Sequence, residues 1–293
     1  MKNPNIKWIY LIILSIIWGS SFILIKKSLL GLTPYQLGAL RTIITGIILL
    51  IAGFYSLKEI PKDKWKWLFI SGLLGSFIPA FFFAIAETEI DSAVTSILNS
   101  LVPLNTILLG FAVFKISSTK RQVLGVIIGF IGTAILITKG SELNPNQNYY
   151  YAIFVIASTL MYATNVNIIK RYLQDVRPLA IATGNYVFIL IPALIVLFFT
   201  DFFKTETFEH PEFINSIIFV IILSVFGTAM AKVIFNKLVQ ISTPVFASSV
   251  TYIMPVVALI WGILDGESFS LIQGLATLLI LAGVYLSHRR IKR

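Results

Sequence analysis

The chain has no cysteine, two histidines and 13 acidic residues among 293. Without cysteine there is no disulfide, no thiol chemistry and no thiolate metal site. The two histidines, His210 and His288, stand far apart in polar stretches, which suits surface positions rather than a ligand pair. All 13 acidic residues fall in connections or at the ends of apolar runs, and none lies deep inside one. Metal-dependent lipid transfer needs clustered acids, and intramembrane proteolysis needs a second acid or a paired base. Both enzyme classes are therefore disfavoured, and no catalytic residue, metal or cofactor is expected. The same lack bears on coupling, because proton- and cation-driven carriers commonly exchange ions at a buried Asp or Glu. Such coupling would fall to Glu87 or Asp91 at a span edge, or to a Na⁺ site of carbonyls and hydroxyls. Facilitated export or exchange is the simpler expectation.

Apolar length is what the chain has in excess. Hydrophobic residues make up 57% and charged residues 12%, against roughly 45–50% and 25% in soluble domains. Ten apolar runs stand at 8–25, 35–57, 66–86, 92–114, 121–138, 149–169, 180–200, 213–236, 244–264 and 270–287. Each can cross a hydrocarbon core about 30 Å thick as a helix. They are too long for barrel strands and lack period-2 alternation. The first run has basic flanks, as a signal peptide would, but it is long for one and reads as a retained span. Trp8, Trp65, Trp67 and Tyr149 to Tyr151 fall at span ends, where amphipathic rings settle at the interface.

The net charge of +10 raises nucleic acid as a partner, but the distribution of charge points elsewhere. Of the 23 Lys and Arg residues, 21 lie outside the runs or at their first residue. Seventeen of these sit at the termini or in every second connection, and four in the others. Basic residues near span ends stay on the cytoplasmic side. The expectation is a multi-pass protein of the inner or plasma membrane with both termini cytoplasmic, facing an anionic leaflet rather than nucleic acid.

The runs repeat. A shift of 144 places Trp18 on Tyr162, Lys26 on Lys170, Lys27 on Arg171 and Pro34 on Pro178. A shift of 152 places Gly75 on Gly227, Ser96 on Ser248, Pro103 on Pro255 and Gly110 on Gly262. The predicted fold is an all-α membrane protein of ten transmembrane helices in two five-helix repeats, 8–138 and 149–287. Five is odd, so the second repeat enters the membrane upside down. Inverted repeats characterise secondary transporters, with the substrate site at mid-membrane where the halves meet.

The residues Trp18-Gly19-Ser20-Ser21-Phe22, Lys26, Pro34 and Arg41, with Pro103, Pro255, Gly266-Glu267-Ser268, Gln273-Gly274 and Leu281-Ala282-Gly283, resemble the EamA-like family of the drug/metabolite transporter superfamily. The likeness covers nearly the whole chain. It implies alternating-access transport of small metabolites, often export, including amino acids. In the second half Tyr162-Ala163 replaces the Trp-Gly and Asn185 replaces Arg41, so the halves are expected to contribute unequally to a site.

Neutral polar residues inside the spans are the candidates for that site. Asn99 and Pro103 share a face of span 4, and Thr251, Tyr252 and Pro255 occupy the equivalent stretch of span 9. Proline frees a carbonyl one turn back, and irregular backbone is tolerated where it lines a cavity. Helix–helix glue is the alternative use of such residues. Trp18 and Ser21 in span 1, and Tyr162 and Asn165 in span 6, are mid-span groups that need partners. Of Phe81, Phe82 and Phe83, one is expected to face the cavity, and Phe82 is chosen. Arg41 lies about 9 Å into span 2. It either meets an anionic or zwitterionic substrate, pairs with Glu87 or Asp91, or snorkels outward. Lys232 is expected to snorkel from the inner end of span 8 or to line the vestibule. Spans 5 and 10 carry Gly125-x-x-x-Gly129 and Gly283, a small-residue pattern for close packing or a homodimer contact.

The resulting reading is a permease for a small polar or amphipathic metabolite, its cavity set between spans 1, 3, 4, 6, 8 and 9. A broad-range drug exporter, a passive channel and a membrane-embedded lipid-modifying enzyme are the alternatives.

Overall fold

A computed structural model of the protein describes residues 6–113, 120–143, 146–267 and 270–288. The described residues are helical, with no strand among them. The first half holds α1 (Ile6–Ser28), α2 (Pro34–Gly53), α3 (Trp65–Gly72), α4 (Ile78–Ala86), α5 (Ser92–Asn99), α6 (Val102–Ala112) and α7 (Lys120–Leu143). The second holds α8 (Ala152–Tyr172), α9 (Pro178–Phe198), the single turn α10 (Thr205–Phe208), α11 (Phe213–Ile222), α12 (Ala231–Ile241), α13 (Pro244–Ser248), α14 (Met254–Leu264) and α15 (Leu271–His288).

Among the described residues eight helical segments are long and apolar enough to cross a membrane. They are Ile6–Ser28, Pro34–Glu59, Lys62–Ala86, Ser92–Ala112, Tyr149–Tyr172, Pro178–Phe198, Phe213–Ile241 and Pro244–Leu264. The fifth and tenth predicted spans are shorter as apolar stretches, Val123–Leu136 within α7 and Leu271–Gly283 within α15. The helix of α7 outruns its apolar part, because Lys120 and Arg121 begin it and a polar stretch carries it on to Leu143.

Local chemistry sets the boundaries. Thr33 caps α2 in a reciprocal box with Gln36, and Pro34 supplies the fixed φ of a first helical residue. At α13 the Thr243 hydroxyl accepts from Phe246 N, and Pro244 again supplies the first helical φ. Gly266 stops α14 at φ 86°, a conformation that a side chain would strain, and turns the chain back so that Glu267 meets α5.

Four spans are not regular. The third widens into a π turn at Leu73–Phe77 between α3 and α4. The seventh long segment does so at Leu223–Met230 between α11 and α12. The two turns contain Gly75 and Gly227, the pair that the repeat superimposes. The span of α5 and α6 breaks at Ser100 and Leu101, and that of α13 and α14 narrows to a 3-10 turn at Ser249–Tyr252. Each break stands just before the prolines, Pro103 and Pro255, which begin the next helix without an N–H.

Large apolar side chains such as Ile12, Ile51, Ile191 and Leu278 point outward, while Ala, Ser and Thr join Leu and Ile in the buried positions. This suits a lipid solvent, in which van der Waals fit rather than water exclusion joins helices. α7 and α15 lie against each other. A Cβ built on Gly283 would stand 2.6 Å from Gly125 O and 2.6 Å from Gly129 N. The glycine face of span 5 is thus covered by the chain's own α15, which removes it as a basis for a dimer contact.

Candidate functional site

The irregular segments meet around a cavity of about 120 Å³. A water needs roughly 10–15 Å³ of such space, so the volume suits a small metabolite. Trp18, Ser21, Arg41, Asn99, Tyr162, Asn165, Thr251 and Lys232 all line it. Phe82 does not. It packs edge-on against Phe154 with ring centroids 5.2 Å apart, and Phe83 faces the cavity instead. Tyr252 is also outside the lining, although its hydroxyl is buried without a partner. Spans 1, 3, 4, 6, 8 and 9 supply walls as expected. Span 2 adds Arg41 and Thr42, and span 7 adds Tyr186. No described residue of α7 or α15 is in the lining.

The two π turns organise the polar contacts. Widening a helical turn leaves carbonyls without their usual N–H donors. Trp18 Nε1 donates to Gly227 O at 2.8 Å. Lys232 Nζ donates to Gly75 O at 3.2 Å and to Ser76 Oγ at 2.5 Å. Each equivalent glycine therefore receives a cavity side chain from the other half of the chain. A Cβ on Gly75 would come within 2.3 Å of Asn165 Nδ2, and one on Gly227 within 2.8 Å of Ser21 Oγ. The glycines bring backbone and cavity walls together at both places.

Both cations line the cavity, one of the alternatives that the sequence left open for each. Lys232 does not snorkel, since it is buried at 6% exposure with its two neutral acceptors. Arg41 pairs with neither Glu87 nor Asp91. Its Nε donates to Thr228 Oγ1 at 2.9 Å across the two halves. Asp91 instead accepts from Gln147 Nε2. Glu87 is buried, and neither carboxyl oxygen has a partner among the described residues.

Aromatic rings close the rest. Tyr162 stacks on Phe83 at 5.9 Å between centroids, Phe22 meets Phe83 edge-on, and Trp18 does the same with Phe235 at 5.0 Å. Asn99 sits where α5 ends, and its Oδ1 is buried without a donor. Asn165 Oδ1 accepts from Ser71 Oγ at 2.6 Å. Nothing in the residue pattern singled out Tyr186, Phe235, Thr228 or Ser76. The Gly75–Gly227 match was the available signal for the last two, since they follow those glycines directly.

Polar ties hold each end of the cavity. At the α1–α2 end Glu267 accepts from Lys26 Nζ at 2.8 Å, from Ser92 N and Oγ, and from Ala93 N. Asp265 pairs with Lys27 and, at 3.5 Å, with Lys26. Burial opposes ionisation of Asp265, but the two ammonium groups outweigh it and hold the carboxyl below its ordinary value. At the other end Lys170 Nζ donates to Val239 O, Gln240 O and, at 2.7 Å, Ser242 O. Lys64 bonds Tyr172 O there and pairs with Asp175 at 2.9 Å, which lowers the Asp175 carboxyl. The two ends are set apart by α2, whose 20 residues rise about 30 Å.

Comparison with known proteins agrees with this architecture. The model of the EamA-like transporter family matches residues 6–138 and again 150–289. An uncharacterized transporter of Archaeoglobus fulgidus is 28% identical over 97% of this chain and 99% of its own length. The uncharacterized inner membrane transporter YedA of Escherichia coli is 26% identical over 93% of this chain and 87% of its own. Protein PecM of Dickeya dadantii is 25% identical, covering 94% and 92%. A solved crystal structure at 18% identity superposes with a TM-score of 0.66 over 96% of this chain and 95% of that one, which speaks for the fold.

Proposed function

Because the chain belongs to the EamA-like transporter family, we propose that it carries a small polar or amphipathic metabolite through the central cavity by alternating access, in the export direction. In this reading ten helices cross the membrane as two inverted repeats, with both termini in the cytoplasm. The observation that carries it is the cavity itself, walled by both halves and built on their equivalent π turns. π turns recur at functional positions because they free backbone groups and tolerate rearrangement. The ties at the two ends support the same reading. Lys26 and Lys170 are repeat equivalents, and each fastens one end. Alternating access requires one set to hold while the other releases.

The test is counterflow in proteoliposomes over a panel of labelled metabolites. Trp18→Ala and Asn99→Ala are expected to lower the rate about tenfold or more with insertion and yield unchanged. Normal rates in both variants would show that solute does not pass through this cavity.

A further inference from the structure

We infer that the cavity takes a small organic anion, whose acidic group is held between Arg41 and Lys232. This rests on the transport reading and names the class of solute.

Both cations line the cavity, and no aspartate or glutamate lies in the described lining. No ion pair of either appears among the described residues. Arg41 uses only Nε, toward the hydroxyl of Thr228. Its two terminal nitrogens have no recorded acceptor among the described residues. Lys232 gives two of its three N–H groups to the uncharged acceptors Gly75 O and Ser76 Oγ. The two charges also converge. Thr228 and Lys232 are four residues apart on one helical stretch, so they share a face roughly one turn apart. The Arg41–Thr228 bond brings the guanidinium to that face.

Two neighbouring cations without a carboxylate partner repel each other, and partial burial costs them hydration. An anionic group on the solute would relieve both. The open end of the guanidinium is a planar fork that matches the oxygens of a carboxylate or phosphate, and Lys232 adds a point charge. A doubly negative group would neutralise both. The nearby carboxylates do not compete. Glu87 lies outside the lining, and Glu267 is engaged with Lys26, Ser92 and Ala93.

The remaining walls describe the rest of the solute. Trp18, Phe83, Tyr162 and Phe235 offer ring faces and edges to a short carbon body. Asn99 Oδ1 is a buried acceptor without a donor, so a hydroxyl or amino group on that body would satisfy it. An anion also removes the need for a coupling ion in export, because the inside-negative membrane potential drives negative charge outward. That fits a set of spans with no deeply placed carboxylate.

The test uses purified full-length protein and three classes of probe of similar size. These are malate and 3-phosphoglycerate as anions, asparagine as a zwitterion and putrescine as a cation. The anions are expected to raise the melting midpoint in detergent and to exchange by counterflow, and the other two to do neither. An imposed inside-negative potential should speed anion efflux. Arg41→Gln and Lys232→Met should each weaken the anion effect about tenfold, and Arg41→Lys should restore part of it. The readout is the shift on adding the probe, so a lower midpoint without it does not confuse the result. Exchange of asparagine or putrescine with the anions silent overturns the assignment and leaves the transport reading standing. Undiminished anion binding in the double variant also overturns it. Exchange of none of the three classes removes the transport reading as well.

Discussion

Among the described residues, Glu87 is the one acidic side chain that burial separates from both water and a partner. It follows directly on α4, one turn beyond Phe83. Burial pushes its carboxyl well above the ordinary glutamate value of 4.5, and the Glu267 carboxylate adds to this. Lys26 and Arg41 oppose the shift without cancelling it. A carboxyl raised in this way takes up a proton on folding. Its favourable effect is therefore complete below pH 4.5 and is lost as pH climbs toward the raised value. The folded protein should lose up to about 1.4 kcal/mol per pH unit over that window. Glu87→Gln, which stays neutral, should flatten the dependence of the detergent melting midpoint on pH. An unchanged slope would mean that the group is hydrated after all. The sequence located Glu87 at a span edge but could not show its burial, which comes from helices remote in sequence. Similar reasoning explains the residues that were misplaced. Trp18, Asn99, Tyr162 and Asn165 are polar or amphipathic groups in otherwise apolar runs, and that contrast is legible. Phe82 was chosen from three adjacent phenylalanines, and snorkelling was the first of two expectations for Lys232. Each follows a π turn, whose extra residue rotates the downstream face by about a quarter turn or more. Phe83 consequently takes the place chosen for Phe82, and Lys232 turns inward.

The elements divide into a conducting set and a supporting pair. The four irregular spans line the cavity together with residues of α1, α2, α8 and α9. The apolar stretches of α7 and α15, Val123–Leu136 and Leu271–Gly283, pack on each other. That division was readable, because Gly125, Gly129 and Gly283 stood out in apolar runs. Which helix their face would meet was not, since a G-x-x-x-G pattern states only that something approaches closely. The structure answers with the backbone of Gly283 set against Gly125 and Gly129. Gly283→Ala would press a methyl onto backbone atoms, which cannot rotate aside as a side chain could. Overpacking of this kind costs about 1–3 kcal/mol. The expected result is a melting midpoint lower by a few degrees, with transport by the surviving folded protein unchanged. A variant that kept its midpoint would show that the two helices separate easily. The proline breaks in the spans of Pro103 and Pro255 were legible for the opposite reason, because proline constrains its own backbone whatever surrounds it. The π turns carried no comparable local mark, and a glycine alone is compatible with a regular helix.

At the scale of the molecule the decisive question is whether equivalent positions of the two halves face opposite sides of the membrane. The alternation of basic residues and the odd number of runs per repeat both require it. The structure adds that Lys26 and Lys170, equivalent by a shift of 144, fasten ends separated by the length of α2. No bilayer is needed for that geometry, yet only labelling across one can give its sense. The missing cysteines make the measurement direct, since any thiol introduced is the only one in the chain. Leu30 and Gln174 are the pair to use, because they are 144 residues apart and both exposed. Each stands just beyond the basic pair in the last turn of α1 or of α8. Leu30→Cys should react with a membrane-impermeant maleimide added to intact cells. Gln174→Cys should stay unlabelled until the membrane is opened. The charge distribution fixes which of the two reacts first, and the inversion requires that they differ. Labelling of both from the same side would leave two parallel repeats. The Lys26 and Lys170 ties could then not be the two gates of one cavity.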